Sequence, residues 1–146
     1  MTFDKDKYEK RLAFRLDRFS GKFMSNTKWT KLFETLSRNK ETVNKCLEKS
    51  IWDEQLREIH IPPIEEFTET FHDTGFKDGI NQPSNFKEIE WIEFPSKWTI
   101  SRQMRGQTLE PHKYEQDIIK IKNEIDRIGQ LETGLDNEKL IVYGYK

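Results

Sequence analysis

Phe86-Lys87-Glu88-Ile89-Glu90-Trp91-Ile92-Glu93-Phe94 decides how the rest of the chain reads. Apolar and acidic residues interleave over nine positions, and Pro95 closes the run. The segment is rich in residues that suit a pleated surface and predicts a β-strand. Ile89 and Trp91 are expected on one face, Ile92 and Phe94 on the other. A strand that is apolar on both faces belongs inside a sheet rather than at its rim.

Working outward, the chain after Pro95 is expected to loop from Ser96 to Leu109 and then to form a helix from Pro111 to Ile128. In that helix Tyr114, Ile118, Ile121, Ile125 and Ile128 keep the helical period, Pro111 suits the first turn, and Gly129 the stop. A hairpin closes the chain, with arms at Leu131–Thr133 and Lys139–Tyr145. Before the strand, Asp73 to Asn85 reads as a long surface loop. Ile64, Phe67 and Phe71 share a helical face behind Pro63, and Leu56–Ile61 reads as a short strand stopped by Pro62-Pro63. Val43, Cys46, Leu47 and Ile51 predict a helix. Trp29, Leu32, Phe33 and Leu36 predict another, with Asn26 or Thr27 as its N-cap. Tyr8, Leu12, Leu16, Phe19 and Phe23 predict the first, with Gly21 as its C-cap.

Helices first and mixed elements later, without regular βαβ alternation, imply an α+β fold. The expectation is a small antiparallel sheet of about three to four strands, with helices packed mainly on one face. Residues 1–24 are read as an N-terminal amphipathic helix and 25–146 as a single α+β domain.

Asn26-Thr27-Lys28-Trp29, Ile89-Glu90-Trp91-Ile92-Glu93 and the terminal Tyr143-Gly144-Tyr145 together carry a resemblance. In this order they resemble a family of small uncharacterised bacterial proteins, a domain of unknown function, over roughly Ser25 to Lys146. The resemblance implies bacterial origin and supports a boundary near Ser25. It brings no catalytic residues.

Composition narrows the function classes. The 146 residues are 34% hydrophobic, 12% aromatic and 35% charged, with a mean hydropathy of −0.92. Ten Phe, four Trp and four Tyr supply the large buried areas that a polar chain needs to fold. The single cysteine, Cys46, rules out an intramolecular disulfide and fits a reducing compartment. A charged Met1–Lys10 without an apolar core argues against a signal peptide, and no run reaches a membrane span, so a cytoplasmic location is expected. The net charge of −1 is unevenly spread. Residues 1–50 hold 13 Lys/Arg against seven Asp/Glu, and residues 51–95 hold three against eleven.

No motif commits the chain to catalysis. His60, His72 and His112 lack metal-ligand spacing, so no metal and no cofactor is expected. Asp73-Thr74-Gly75 matches the aspartic-protease tripeptide, but such enzymes need two copies, and Phe76 stands where a small residue is usual. Cys46 reads as a small core residue. Glu88 and Glu90, at strand spacing, would share a face within reach of glycosidase chemistry, and an exposed acidic strip is the simpler reading. A non-catalytic protein-binding domain is therefore preferred. The expected contact residues are Glu65, Glu66, Glu69, Asp73 and Asp78, facing a basic protein partner in the manner of immunity proteins that neutralise cationic toxins. The alternatives are an enzyme with a His/carboxylate site, or a nucleic-acid module using Lys97, Trp98, Arg102 and Arg105. Nucleic acid ranks below protein because a pI near 6.3 lacks a basic footprint. No membrane contact is expected, and oligomeric state is not legible.

Overall fold

The computed structural model describes residues 4–77 and 84–146. Its centre is a five-stranded antiparallel sheet in the order β2-β1-β6-β10-β9. The strands are β1 (Cys46–Ser50), β2 (Leu56–Ile59), β6 (Ile89–Pro95), β9 (Thr133–Leu135) and β10 (Lys139–Tyr143). β6 lies between β1 and β10, the central position its sequence called for. Two smaller sheets complete the strands. One is three-stranded, from β3 (Phe71–His72), β4 (Gly75–Phe76) and β5 (Ser84–Asn85), and the other pairs β7 (Lys97–Met104) with β8 (Gln107–Glu115).

The expected fold, three to four strands with helices mainly on one face, is corrected by this arrangement. Strands are more numerous because two helical readings and two loop readings fall on β-structure. The expected Val43–Ile51 helix is replaced by β1, where alternation prevails: Cys46 and Glu48 face the core and Leu47 and Lys49 the other side. The burial of Glu48 and Lys49 conceals this alternation from a hydrophobicity pattern. Ser96–Leu109 is a strand and a turn rather than a loop. Pro111–Glu115 is strand, so α4 spans only Ile118–Asp126, capped by Asp117, whose carboxylate accepts from the Ile119 and Lys120 amides. Part of the expected 73–85 loop is the β3–β4–β5 sheet, with Phe76 fully buried. Gly75 is required there, since a Cβ would stand 2.0 Å from the Ser84 carbonyl oxygen.

The helices do not share one face. α2 (Asn26–Arg38) and α4 bury Trp29, Leu32, Phe33, Leu36, Ile118, Ile121 and Ile125 against Ile92, Phe94, Leu140 and Val142. Ser25, rather than Asn26 or Thr27, caps α2, accepting from the Lys28 amide at 3.1 Å. α3 (Phe67–Thr70) is a single turn that hands Phe71 to β3. α1 (Lys5–Leu16) packs Tyr8, Leu12 and Leu16 into a separate cluster with Ile51, Trp52 and Tyr145. It stops at Leu16, well before Gly21, and Phe19 instead stacks on Tyr145 with centroids 5.3 Å apart. Among the described residues no helix is long and apolar enough to cross a membrane.

Within β6 the register shifts opposite Lys49 and Ser50, leaving Glu90 as an extra residue. The bulge turns Ile89 into the main core, so Ile89 and Trp91 do not share a face as alternation predicts. Glu90 receives Lys49 Nζ at 2.8 Å and an Arg18 guanidinium nitrogen at 3.7 Å. Glu88 sits in the 3-10 turn before β6 and accepts from Tyr8 Oη at 2.6 Å and Trp52 Nε1 at 3.0 Å. These carboxylates tie α1 to the sheet rather than forming a catalytic pair.

Candidate functional site

The β7–β8 arm leaves β6 at Pro95 and pairs with no other strand among the described residues. An isolated two-stranded hairpin is at best marginal in water, so its base must be held. Ser96 N donates to the Glu138 carbonyl at 2.7 Å, and Ser96 Oγ to the Asn137 carbonyl at 3.0 Å. Buried Gln116 fastens the other end. Its Oε1 accepts from the Asn44 and Lys45 amides at 2.9 and 3.0 Å. Its Nε2 donates to the Lys45 and Pro95 carbonyls at 2.9 and 2.7 Å.

The tip turns through Arg105 (φ 52°) and Gly106 (φ 78°), between the paired residues Met104 and Gln107. Positive φ at both central positions is the type I′ turn favoured in two-residue hairpins. Ile100 opposes His112 and Arg102 opposes Leu109, so β8 bulges by one residue, with Glu110 and Pro111 standing against Ser101 alone. Proline is tolerated in a strand at such a bulge.

Period-two alternation then sorts the arm into unlike faces. One carries Trp98, Ile100, Arg102 and Met104 from β7 with Leu109, His112 and Tyr114 from β8. Trp98 stacks on Tyr114 (centroids 5.9 Å, planes 12° apart), and His112 tilts against Tyr114 at 5.8 Å. Arg102 Nε donates to the Glu110 carbonyl at 2.9 Å, and its guanidinium, which can only donate, reaches His112 Nε2 at 3.0 Å. The Lys45 ammonium lies 5.5 Å from the Trp98 ring. Ile100 is 49% exposed, Met104 59% and Tyr114 41%. The opposite face carries Lys97, Thr99, Ser101, Thr108, Lys113 and Glu115. Across the arm four Lys/Arg stand against two Glu.

Of the residues singled out in the sequence, Lys97, Trp98, Arg102 and Arg105 are thus gathered on one element, with Trp98 and Arg102 on its aromatic face. Glu65 and Glu66 lie in the 3-10 turn Ile64–Glu66, Glu69 in α3 and Asp73 in the β3–β4 turn, all exposed. Asp78 lies outside the described residues. His60 just after β2, His72 in β3 and His112 in β8 are exposed and lie on three separate segments. Among the described residues no group of His, Cys, Asp and Glu could hold a metal ion. Cys46 is fully buried, and burial pushes its thiol pKa far up, with nearby Glu48, Glu93 and Glu58 adding to the rise. Such a thiol is a poor nucleophile. Ile100, Tyr114 and Gln116 are not among the candidate contact residues read from the sequence. The signal that finds Ile100 is the alternation Trp98, Ile100, Arg102, Met104 running into Arg105-Gly106.

A family model described as "Family of unknown function (DUF6678)" matches residues 14–146, beginning inside α1. No curated protein and no solved structure matches the chain.

Proposed function

The chain belongs to this family of unknown function, which lends it no activity, and we propose on its own geometry that it is a non-catalytic protein-binding module. The binding element in this reading is the aromatic face of the β7–β8 arm. One observation carries it: Ile100, Met104 and Tyr114 are exposed together on an element that contributes to neither apolar core. Aromatic residues, Met and Arg are the types enriched where proteins meet. Exposed apolar groups on a projecting element are a recurrent mark of a contact surface. A nucleic-acid interface would be far more basic than four cations against two carboxylates, and would have little use for Ile100, Met104 and Leu109.

The exposed carboxylates at Glu65, Glu66, Glu69 and Asp73 support a second docking surface, for a basic protein. Their support is sign and exposure, without the apolar anchors that dominate binding energy.

Affinity capture with the full chain from its native extract separates these surfaces. A protein captured by the wild type should be lost with Met104→Asp combined with Tyr114→Ala, and kept with Glu65, Glu66 and Glu69 changed to Lys. The reverse pattern would overturn the arm in favour of the acidic surface. Tight binding of a labelled oligothymidylate that weakens steeply with salt would overturn the protein reading.

A further inference from the structure

Strand β7 is paired on one edge with β8, and its other edge has no strand partner among the described residues. An eight-residue edge of this kind is a template for another strand. The outer edge of β8 is a poorer template, because Pro111 removes a donor and the bulge breaks its register. β7 contains no proline.

Pairing of β7 with β7 of a second copy is tightly constrained. In an antiparallel pair, hydrogen-bonded and non-hydrogen-bonded positions alternate. Two-fold symmetry therefore requires some residue to sit opposite its own copy, since any other register would make equivalent pairs unlike. Centring on Arg102 would set two guanidiniums face to face, which is unfavourable. Centring on Ile100 sets the two Ile100 side chains together and places Trp98 opposite Arg102 of the second copy, a cation–π pairing on each side of the axis once the guanidinium turns from the Glu110 carbonyl and His112.

We propose that the chain forms a two-fold homodimer through antiparallel β7–β7 pairing centred on Ile100, which joins two arms into one four-stranded sheet. The contact goes beyond the partner-binding role. It runs along the backbone edge, engages Trp98, Ile100 and Arg102 beside that edge, and leaves Met104 and Tyr114 exposed in both copies. The interface is at the small end of specific contacts, so a dissociation constant of about 10 µM is expected.

Sedimentation velocity of the full chain from about 1 to about 200 µM, a range that brackets such a constant, tests the proposal. The wild type should pass from monomer to dimer, and Ile100→Lys, with an unchanged circular dichroism spectrum, should stay monomeric. Under mild oxidation Ile100→Cys should cross-link into a dimer at least about tenfold faster than Thr99→Cys, because opposed Cα atoms about 5 Å apart suit a disulfide. Cys46 is buried and does not compete. A wild type that remains monomeric at the highest concentration would overturn the dimer. Equal or faster cross-linking at position 99 would overturn the register.

Discussion

Trp98 and Tyr114 face each other across the β7–β8 pair as parallel rings, 5.9 Å between centroids and 12° between planes. The contact lies outside both apolar clusters of the protein. Each ring shields the other from water, worth about 1 kcal/mol beyond the area buried. That contribution, with the clamps at Ser96 and Gln116, keeps a two-stranded arm folded while its outer side chains stay exposed.

The turn at the tip is a point where the arm's order can be adjusted without touching the aromatic face. Arg105 holds φ 52° and Gly106 φ 78°. Asparagine tolerates this region better than arginine, so Arg105→Asn should stabilise the arm by about 0.5 kcal/mol. Gly106→Ala has room for a methyl group but not the backbone preference, and should cost about 1 kcal/mol. Amide hydrogen exchange of residues 97–115 reads both changes, slower for the first variant and faster for the second.

Gln116 is the arm's anchor, with both ends of its amide satisfied by backbone of two other segments. Gln116→Leu keeps most of the volume but strands the Asn44 and Lys45 amides and the Lys45 and Pro95 carbonyls. The expected cost is about 3 kcal/mol in urea denaturation. A loss below about 0.5 kcal/mol, the value of a single surface hydrogen bond, would show that the clamp does not hold the base.

Tyr8 gives the fold a pH dependence of definite sign. Burial first, then its hydrogen bond to Glu88 and that carboxylate's charge, push its pKa up from 10.0 to about 12. Tyr145 is raised as well, by burial and then by Glu88. The folded state favours the neutral phenol, so its contribution is complete below pH 10 and is lost as pH rises towards 12. Denaturation midpoints across that window should fall for the wild type and less steeply for Tyr8→Phe. Tyr8→Phe should also lose about 1 kcal/mol at neutral pH through the missing hydrogen bond. Identical slopes for the two proteins would remove Tyr8 as the cause.

Much of the core was legible. Trp29, Leu32, Phe33 and Leu36 follow the helical period and are buried, and β6 lies centrally as its two-sided apolar pattern requires. The closing hairpin forms close to where it was expected, as β9 and β10. The departures from the sequence pattern are local. Glu48 and Lys49 are buried in partnership with Arg57 and Glu90, long-range pairs that no pattern along the chain reveals. Tyr114 falls by coincidence on the period of Ile118, Ile121 and Ile125, which extended α4 backward across β8. The arm is hidden in the sequence because its alternation joins apolar residues to Arg102 and His112 and faces no core. The candidate site was therefore half visible: Lys97, Trp98, Arg102 and Arg105 stood out by chemistry, while Ile100 and Tyr114 needed the register.

Photo-crosslinking within the producing cell addresses the arm's role most directly. A photoreactive phenylalanine at Met104 in the full chain should give one discrete adduct with a different polypeptide, identified by mass spectrometry, and the same group at Glu69 should give none. An adduct at Glu69 with nothing but the chain itself captured at Met104 would contradict the assignment of binding to the aromatic face of the arm.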